Sequence, residues 1–370
     1  MDDKRVPSFI RGTQTDYDKV VAHVPDLYSL GYSATDFTVT TGIMESAMSV
    51  VLSDPLHDLI MQYRPDAVIT AYPFYQAPLV TLLNNRRHFT PVYTVVTDLV
   101  SLHRIWFNKG VTGCFVPTEA AASLALAAGI PEDRIHLTGI PVNPAIAMES
   151  RDPQALRVEL GWDATLPTIL AVSSARVEHM LESLMVINHL GFSLQLAVVA
   201  GGDERLYQEA RSMEWHVPAH VYNYVDNLPA LMRASDVVLC KAGGLIVTES
   251  LASGLPLILI HAIPGQETGN AQYVVENGAG DLVQNSLELV QSVAHLLLDG
   301  QRLLAERKAT ARSLGRPMAA FDIARTVWQT LTNPELAQEY ALRKRDRKER
   351  STREKRPRRK GSSSKRRAET

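Results

Sequence analysis

Short apolar runs alternate along the chain with stretches of helical periodicity, in two successive series. Each run is rich in Val, Ile and Leu and is bounded by Gly, Pro, Asp or Asn, which is typical of strands buried on both faces. Strands are predicted within residues 66–71, 91–98, 113–118 and 135–139, and then within residues 168–174, 194–201, 219–225, 236–243 and 255–260. Strands that alternate with helices indicate parallel α/β sheets.

Helical patterns fill the intervals between these strands and continue after the second series, over residues 286–340. A long helical pattern over residues 41–63 comes before the first predicted strand, and no strand with a Gly-rich loop precedes it. The proline-rich stretch 140–153 is typical of a linker. We therefore predict two doubly wound, Rossmann-like domains, residues 1–143 and 144–335, that face each other across a cleft.

The composition supports a globular protein: 45% of the 370 residues are hydrophobic. This excludes disordered, collagen-like and disulfide-stapled classes. The two cysteines, Cys114 and Cys240, lie in apolar runs, which fits buried thiols in a reducing compartment. The start is acidic, and no apolar run reaches about 18 residues, so we expect neither a secretory signal nor a membrane-spanning helix.

The charge of the chain is strongly segregated. Residues 341–370 carry 15 Lys and Arg against 4 Asp and Glu, or +11, which leaves −13 for residues 1–340. We predict that this tail is disordered and that the acidic body binds no specific nucleic acid. The tail either lies on an anionic membrane surface or is a solvated extension, and both interpretations are open.

The stretch 240–256 carries the most informative motif. A strand ends at Cys240, Gly243 and Gly244 follow, and a helix begins near Leu245. Free N–H groups at such a helix start favour an anion, and the glycines permit close approach of a diphosphate. Glu249, about one turn into the helix, is placed to accept hydrogen bonds from the hydroxyls of a ribose. The motif predicts a nucleotide site, with an ordinary strand–helix turn and a surface Glu as the alternative.

A second turn, residues 263–270, follows the apolar strand near residue 260 and falls at the same sheet edge. Gln266, Glu267 and Asn270 offer partners for sugar hydroxyls. An ordinary Pro-Gly turn capped by Thr268 is the alternative.

The segment after residue 97 supplies candidates on the other side of the predicted cleft. His103 follows a strand and Asp98, where it could orient or exchange a proton with an acceptor hydroxyl, and a plain loop histidine is the alternative. Trp106 and Phe107 contact either acyl chains and sugar faces or the core. A helical stripe is likewise either lipid-facing or core-facing; its members are Ile43, Met44, Ala47, Met48, Val51 and Leu52.

These residues together resemble a known family. The order TD, H, WF, KG and PTE within residues 97–119, followed by KAGG…E and PGQE…N, resembles the group of glycosyltransferase family 28 that contains monogalactosyldiacylglycerol synthases and processive diacylglycerol glucosyltransferases. The resemblance covers roughly residues 60–330. It implies a GT-B fold, an N-terminal acceptor domain, a C-terminal UDP-sugar domain and inverting transfer without a bound metal or other cofactor.

The resemblance also implies roles for individual residues. The nucleotide motif is matched by Lys241, Gly243, Gly244 and Glu249, the sugar and phosphate turn by Gln266, Glu267 and Asn270, and the acceptor-side motif by Asp98, His103, Trp106 and Phe107.

The chain departs from the family pattern at two places. A Gly-rich phosphate loop is replaced by a serine-containing one, in which Ser173, Ser174 and Arg176 are candidates for contact with phosphate. The family's opening strand and GGGH segment, with a proposed base, is absent from the sequence. We expect an incomplete N-terminal domain, either because the chain start lies too far downstream or because the chain has diverged.

These observations predict a UDP-sugar-dependent enzyme, peripheral at the cytoplasmic face of the cell membrane, that moves a hexose to a diacylglycerol-type lipid with inversion. Two alternatives share the fold, namely a lipid II-type N-acetylglucosaminyltransferase and a UDP-sugar epimerase. A third alternative is a nucleotide-sugar-binding protein without turnover.

Overall fold

The computed structural model describes residues 38–84, 90–174, 177, 179–263 and 267–335. The predicted incomplete start, the predicted disordered tail, Arg176 and Gln266 lie outside the described residues.

The first sheet has four parallel strands in the order β1-β2-β3-β4. Its strands are β1 (Val68–Thr70), β2 (Val92–Val95), β3 (Gly113–Val116) and β4 (Ile135–Leu137). Every residue of β2 and β3 is buried, as expected for continuous apolar runs covered on both faces. We call this sheet and its helices the first unit.

The second sheet has six parallel strands in the order β10-β9-β8-β5-β6-β7. Its strands are β5 (Thr168–Val172), β6 (Gln195–Val199), β7 (Ala219–Tyr222), β8 (Val237–Lys241), β9 (Leu257–His261) and β10 (Gly280–Leu282). The strand order reverses between β5 and β8, so ligands are expected at the carboxyl ends of these two strands. We call this sheet and its helices the second unit.

The helices that connect the strands agree with the predicted α/β class. They are α1 (Thr38–Val51), α2 (Ser53–Tyr63), α3 (Gln76–Asn84), α4 (Glu119–Ala127), α5 (Pro144–Met148), α6 (Pro153–Glu159), α7 (Met180–Asn188), α8 (Glu204–Ser212), α9 (Leu228–Arg233), α10 (Gly244–Ala252), α11 (Thr268–Glu276), α12 (Ser286–Leu297), α13 (Arg302–Leu314) and α14 (Ala319–Thr332). The prediction of a parallel α/β architecture is confirmed, and the division between residues 143 and 144 stays a prediction.

Three details differ from the predicted elements. The pattern over residues 41–63 forms two helices, because Pro55 in the first turn of α2 has no N–H to donate to the carbonyl of Val51. The stretch 140–153 contains the short helix α5 and the start of α6. Strand β10 is absent from the predicted set, since it is short and contains one apolar side chain.

The apolar stripe of α1 packs inward where its side chains are described. Leu52, just after the helix, is buried, and Met48 and Val51 pack against it together with Leu56 and Tyr75. Ala47 is exposed, and the side chains of Ile43 and Met44 are outside the described set. The contacts of Met48, Val51 and Leu52 match the core-facing alternative.

The cores show how the units are joined. Two apolar clusters lie on opposite faces of the second sheet, and alternate residues of β5 to β9 enter each of them. In the first unit, α3 and α4 cover one face of the sheet. On the other face, Ile323 and Val327 of α14 pack against β2 and β3, so this late helix returns to the first unit. Leu99, which follows β2, is buried in the core of the second unit.

Candidate active site

The β8–α10 turn lies at the point where the strand order of the second sheet reverses. Lys241 ends β8, Gly243 precedes the helix without a side-chain cap, and Gly244 is its first residue. The first N–H groups of a helix have no partner within the helix, and the helix dipole is positive at this end. The turn therefore offers backbone donors and partial positive charge to an anion such as a diphosphate.

Glu249 lies in the same helix, five residues after Gly244. Its side chain is half-buried, and burial raises the pKa of the carboxyl above its ordinary value. Within the described part of the chain, no hydrogen bond or ion pair engages this carboxylate. A partly desolvated acceptor without a protein donor is suited to bind two adjacent hydroxyls.

Lys241 and Glu267 form an ion pair beside the glycine turn. The Glu267 carboxylate is buried and also accepts a hydrogen bond from the backbone N–H of Ile263 at 3.0 Å. A Cβ built on Gly243 would lie 3.3 Å from Lys241 Nζ and 3.6 Å from Glu267 Oε1. The pair therefore lies against the turn, and the Lys241 charge is balanced by a carboxylate of the same unit.

Asn270 of α11 is buried, and both ends of its amide contact the protein. Nδ2 donates to the carbonyl oxygen of Ala242 at 3.1 Å, and Oδ1 accepts from the backbone N–H of Leu99 at 3.3 Å. Ala242 belongs to the β8–α10 turn, whereas Leu99 belongs to the first unit. The side chain thus bridges the two units.

Asp98 comes from the first unit and lies close to the same turn. A Cβ built on Gly244 would be 4.0 Å from Asp98 Oδ1 and 3.1 Å from the carbonyl oxygen of Thr97. Burial raises the pKa of Asp98 to about 6, a hydrogen bond from the Trp106 indole opposes this rise, and the negative charge of Glu267 adds to it. The structure therefore brings a carboxyl that titrates near neutrality to the helix start of the other unit.

His103, Trp106 and Phe107 are all buried. His103 precedes the short 3₁₀ helix Arg104–Trp106, and its Nδ1 accepts a hydrogen bond from the N–H of Ile105 at 3.1 Å. This bond occupies Nδ1 and leaves the proton of a neutral imidazole on Nε2. Trp106 and Phe107 lie in the core of the first unit, and Trp106 also bonds Asp98. The positions of the two rings match the core alternative.

Ser173 and Ser174 follow β5, the other strand at the reversal point. Ser173 is buried, and Gly201, with φ +64°, lies so close that a Cβ there would meet the Ser173 carbonyl oxygen at 2.1 Å. The serine loop thus borders the same carboxyl edge as the β8–α10 turn, since β5 and β8 are paired neighbours.

Several residues of this region are absent from the sequence-based set of candidates. Leu99 docks in the second unit, and Ser101 packs against Gly269. The sequence gives no signal for these contacts, because a Leu and a Ser in a loop have many ordinary roles. Three aromatic residues after β1, namely Tyr72, Phe74 and Tyr75, form ring contacts at centroid distances of 5.4 and 5.5 Å. The aromatic run that follows a strand could have indicated them.

The described residues contain no group of three or more His, Cys, Asp or Glu side chains placed to hold a metal ion. None of the helices in this part of the chain is both long enough and apolar enough to cross a membrane.

Comparison with known proteins supports the resemblance seen in the motifs. The family model for monogalactosyldiacylglycerol synthase matches residues 6–142, and the model for the glycosyltransferase family 28 C-terminal domain matches residues 171–320. Monogalactosyldiacylglycerol synthase 3, chloroplastic, of Arabidopsis thaliana is 31% identical over 323 residues, which is 84% of this chain and 69% of the relative. The chain belongs to the monogalactosyldiacylglycerol synthase family.

Other members of this family show similar values. The chloroplastic synthase of Spinacia oleracea is 30% identical over 337 residues, which is 88% of this chain and 64% of the relative. The chain spans about two thirds of the length of these curated relatives. The predicted membership of this family is therefore confirmed.

Solved structures show the same fold at lower identity. S. aureus MnaA with UDP has a TM-score of 0.56 at 17% identity, with coverage of 79% of this chain and 82% of that chain. MurG of Acinetobacter baumannii has a TM-score of 0.52 at 15% identity, with coverage of 74% and 77%. These likenesses support the fold alone, and the predicted GT-B fold is confirmed.

Proposed function

We propose that the chain is an inverting glycosyltransferase that moves a hexose from a UDP-sugar to the free hydroxyl of a diacylglycerol-type lipid. One observation carries this proposal: Asp98 of the first unit lies beside the uncapped helix start at Gly244 of the second unit. A proton acceptor and an anion site next to each other are what glycosyl transfer from a nucleotide requires. The names of the chloroplastic relatives support diacylglycerol as the acceptor.

The donor occupies the carboxyl edge of β5 and β8 in this proposal. The diphosphate accepts hydrogen bonds from the N–H groups that follow Gly243, and Ser173 and Ser174 border it on the β5 side. Glu249 accepts the two ribose hydroxyls, which fits a half-buried carboxylate that no donor among the described residues engages. The Lys241–Glu267 pair borders the phosphates and the hexose. The expected phosphate contact by Arg176 and sugar contact by Gln266 stay predictions.

The acceptor approaches from the first unit. Asp98 takes the proton of the lipid hydroxyl, and the oxygen of this hydroxyl forms a bond to the anomeric carbon from the face opposite the diphosphate. The bond from that carbon to the diphosphate breaks, and UDP leaves with the electron pair. The helix start at Gly244 stabilises the negative charge that develops on the leaving group. Attack opposite the leaving group inverts the anomeric centre.

The other acceptor-side residues support this geometry. The buried His103 caps the helix that carries Trp106, and Trp106 hydrogen-bonds the Asp98 carboxylate. In our proposal both therefore hold Asp98 in place. The aromatic rings of Tyr72, Phe74 and Tyr75, each half-buried after β1, offer an apolar surface to the lipid.

Glu249 gives the direct test of the donor site. Substitution Glu249→Ala should weaken UDP binding by about 1–3 kcal/mol, or roughly 5- to 150-fold, because two hydroxyl contacts are lost. Isothermal titration calorimetry with UDP measures this effect. Glu276→Ala is the matched control, because Glu276 is exposed at the C-terminal end of α11. Equal affinity of Glu249→Ala and wild type would refute the donor site.

Transfer of radiolabelled hexose from UDP-galactose and UDP-glucose to dioleoylglycerol tests the reaction itself.

We also propose that the protein is peripheral at the cytoplasmic face of the cell membrane, with the basic residues 341–370 adhering to anionic lipid. The charge of +11 in this segment supports the proposal, because each basic residue near an anionic surface contributes about 1 kcal/mol. Deletion of residues 341–370 should reduce co-sedimentation with phosphatidylglycerol vesicles and leave UDP affinity unchanged. Equal sedimentation of the truncated and full chains would refute adhesion by the tail.

A further inference from the structure

The side chain of Asn270 is engaged at both ends of its amide by the protein itself. It is 1% exposed, and its two hydrogen bonds go to backbone groups of Ala242 and Leu99. The amide uses one N–H and one lone pair in these bonds, and its burial closes the remaining N–H and lone pair to a sugar hydroxyl. Its contacts therefore point to a structural task at the interface of the two units rather than to a ligand contact.

The loop that follows β2 is held on several sides at this interface. The carbonyl of Leu99 accepts a hydrogen bond from Thr118 Oγ1 at 2.8 Å, and the Leu99 side chain is buried in the core of the second unit. A Cβ on Gly269 would come within 2.2 Å of Ser101 Oγ and 2.8 Å of the Ser101 backbone nitrogen. The loop therefore approaches the start of α11 so closely that position 269 has no room for a Cβ.

The two bonds of Asn270 connect residues that are next to the reacting groups. Leu99 follows Asp98 directly, and Ala242 directly precedes Gly243. The Asp98 carboxylate is therefore connected to the glycine turn through the Leu99 N–H, the Asn270 side chain and the Ala242 carbonyl. Because the hydrogen bonds fix both ends of this connection, Asn270 sets the distance between them.

We propose that Asn270 is a positioning residue, which holds the Asp98 loop against the donor turn so that the carboxylate meets the acceptor hydroxyl beside the anomeric carbon. The proposal rests on the proposed function, since it assigns Asp98 the role of base. A displacement of about 1 Å in a reacting group costs on the order of 100-fold in rate. Asn270 thus acts on the rate of transfer and leaves the affinity for UDP unchanged.

A second buried asparagine provides a matched control. Asn188, in α7, is also 1% exposed, donates to the carbonyl of Glu214 at 2.8 Å and accepts from the N–H of His216 at 2.7 Å. It makes the same two kinds of backbone bond within the second unit and contacts neither Leu99 nor Ala242. Asn270→Ala and Asn188→Ala therefore remove equivalent bonds, but only Asn270→Ala removes a connection between the two units.

The experiment compares these variants in the full chain by kcat, UDP affinity, melting temperature and hydrogen exchange. We expect Asn270→Ala to lower kcat by about 10- to 100-fold, with UDP affinity within about twofold of wild type. The backbone amide of Leu99 should exchange faster, because it loses its acceptor. Asn188→Ala should lower the melting temperature to a similar extent and keep kcat within about twofold of wild type.

Two results would overturn the proposal. Equal losses of kcat in the two variants would show that Asn270 has only a general structural role. Loss of UDP-sugar affinity at unchanged kcat in Asn270→Ala would make it a donor ligand. If Asn270→Ala fails to fold, Asn270→Asp answers the same question, since it keeps the size of the side chain and the acceptor for the Leu99 N–H and removes the donor to the Ala242 carbonyl oxygen. The same loss of kcat at unchanged UDP affinity supports the proposal, and wild-type kcat overturns it.

The proposed function is decided separately by the wild-type chain. Absence of both UDP binding and transfer in wild type would refute the proposed function together with the role of Asn270. An active wild type with Asn270→Ala and Asn188→Ala indistinguishable would leave the function standing and refute the positioning role alone.

Discussion

The two units of this protein build their parts of the candidate site in different ways. In the second unit, one strand, one glycine turn and one helix place Gly243, Gly244 and Glu249 within nine consecutive residues from β8 to α10. In the first unit, Asp98 bonds the nearby Trp106, but its carboxylate also lies in the field of Glu267, which belongs to the other unit. The donor turn is thus a local structure, whereas the environment of Asp98 exists only when the two units are packed together.

The cores of the two units differ in a parallel way. The second sheet carries a large apolar cluster on each face. For the first sheet, the small cluster on one face includes Ile323 and Val327 of α14, which follows the second unit in the chain. The first unit therefore depends on the second for part of its core as well as for the position of its proposed base. This dependence predicts that the two units respond differently to substitution.

The largest expected effect comes from Asp98→Asn. If Asp98 is the base, this substitution should lower kcat by about 10²- to 10⁴-fold and leave UDP affinity unchanged. The wild-type rate should fall as the pH drops through about 6, the pKa of Asp98, because the base must be deprotonated to act. A pH–rate profile of both proteins checks this result, with Asp66→Asn, exposed before β1, as the control. An unchanged kcat would remove Asp98 from the mechanism and leave the donor site untouched.

A smaller effect is expected from Ile323→Ala in α14. The substitution removes buried apolar volume against β2 and β3 and should destabilise the first unit by about 2–4 kcal/mol. Hydrogen exchange should increase in the first sheet and stay unchanged in the second. Trp328→Ala on the same helix is the control, because this side chain is 67% exposed and should change stability by less than about 0.5 kcal/mol. Equal loss of protection in both sheets would contradict the separate response of the units.

The charge state of Asp98 predicts a pH dependence of stability. Its pKa in the folded protein, about 6, is above its ordinary value of 3.8, so the folded state binds more protons between these values. The protonated group stabilises the fold at low pH, and this contribution is lost as the pH rises through about 6. Asp98→Asn has no charge to bury, so its free energy of unfolding at pH 8 should be about 1–3 kcal/mol higher than that of wild type.

Urea unfolding at pH 4 and pH 8 measures this difference in stability. The two proteins should be nearly equal at pH 4, where the carboxyl is protonated in wild type. A gain for Asp98→Asn that is the same at both pH values would show that the substitution acts through packing instead of charge.

No change is expected when divalent metal ions are removed. The sequence contains no DxD pair at the end of a predicted strand, and the proposed mechanism stabilises the leaving diphosphate through the helix start at Gly244. Transfer and UDP affinity should therefore persist in EDTA. Loss of transfer that Mn²⁺ or Mg²⁺ restores would show that the second unit lacks the means to neutralise the diphosphate alone.

The sequence by itself predicted the features that depend on neighbouring residues. Nine strands, the β8–α10 turn and Glu249 follow from apolar runs, glycines and spacing, because a parallel strand buried on both faces needs a continuous apolar segment. Two of the three differences from the predicted elements also have local causes. Strand β10 pairs through its backbone and contains Asp281, which bonds Arg307, so it has no apolar run to signal it. Pro55 divides a helical pattern that is otherwise continuous.

The tertiary structure decided which alternative held for side chains whose partners are distant in the chain. Trp106 and Phe107 are buried in the core, and His103 caps a short helix, although the same residues in a loop also fit a substrate contact. Asn270 bonds Leu99 across 171 positions of sequence, and no spacing rule anticipates that contact. Such bonds exist only where both sheets are packed together, since the free energy of each contact depends on burial that other residues provide.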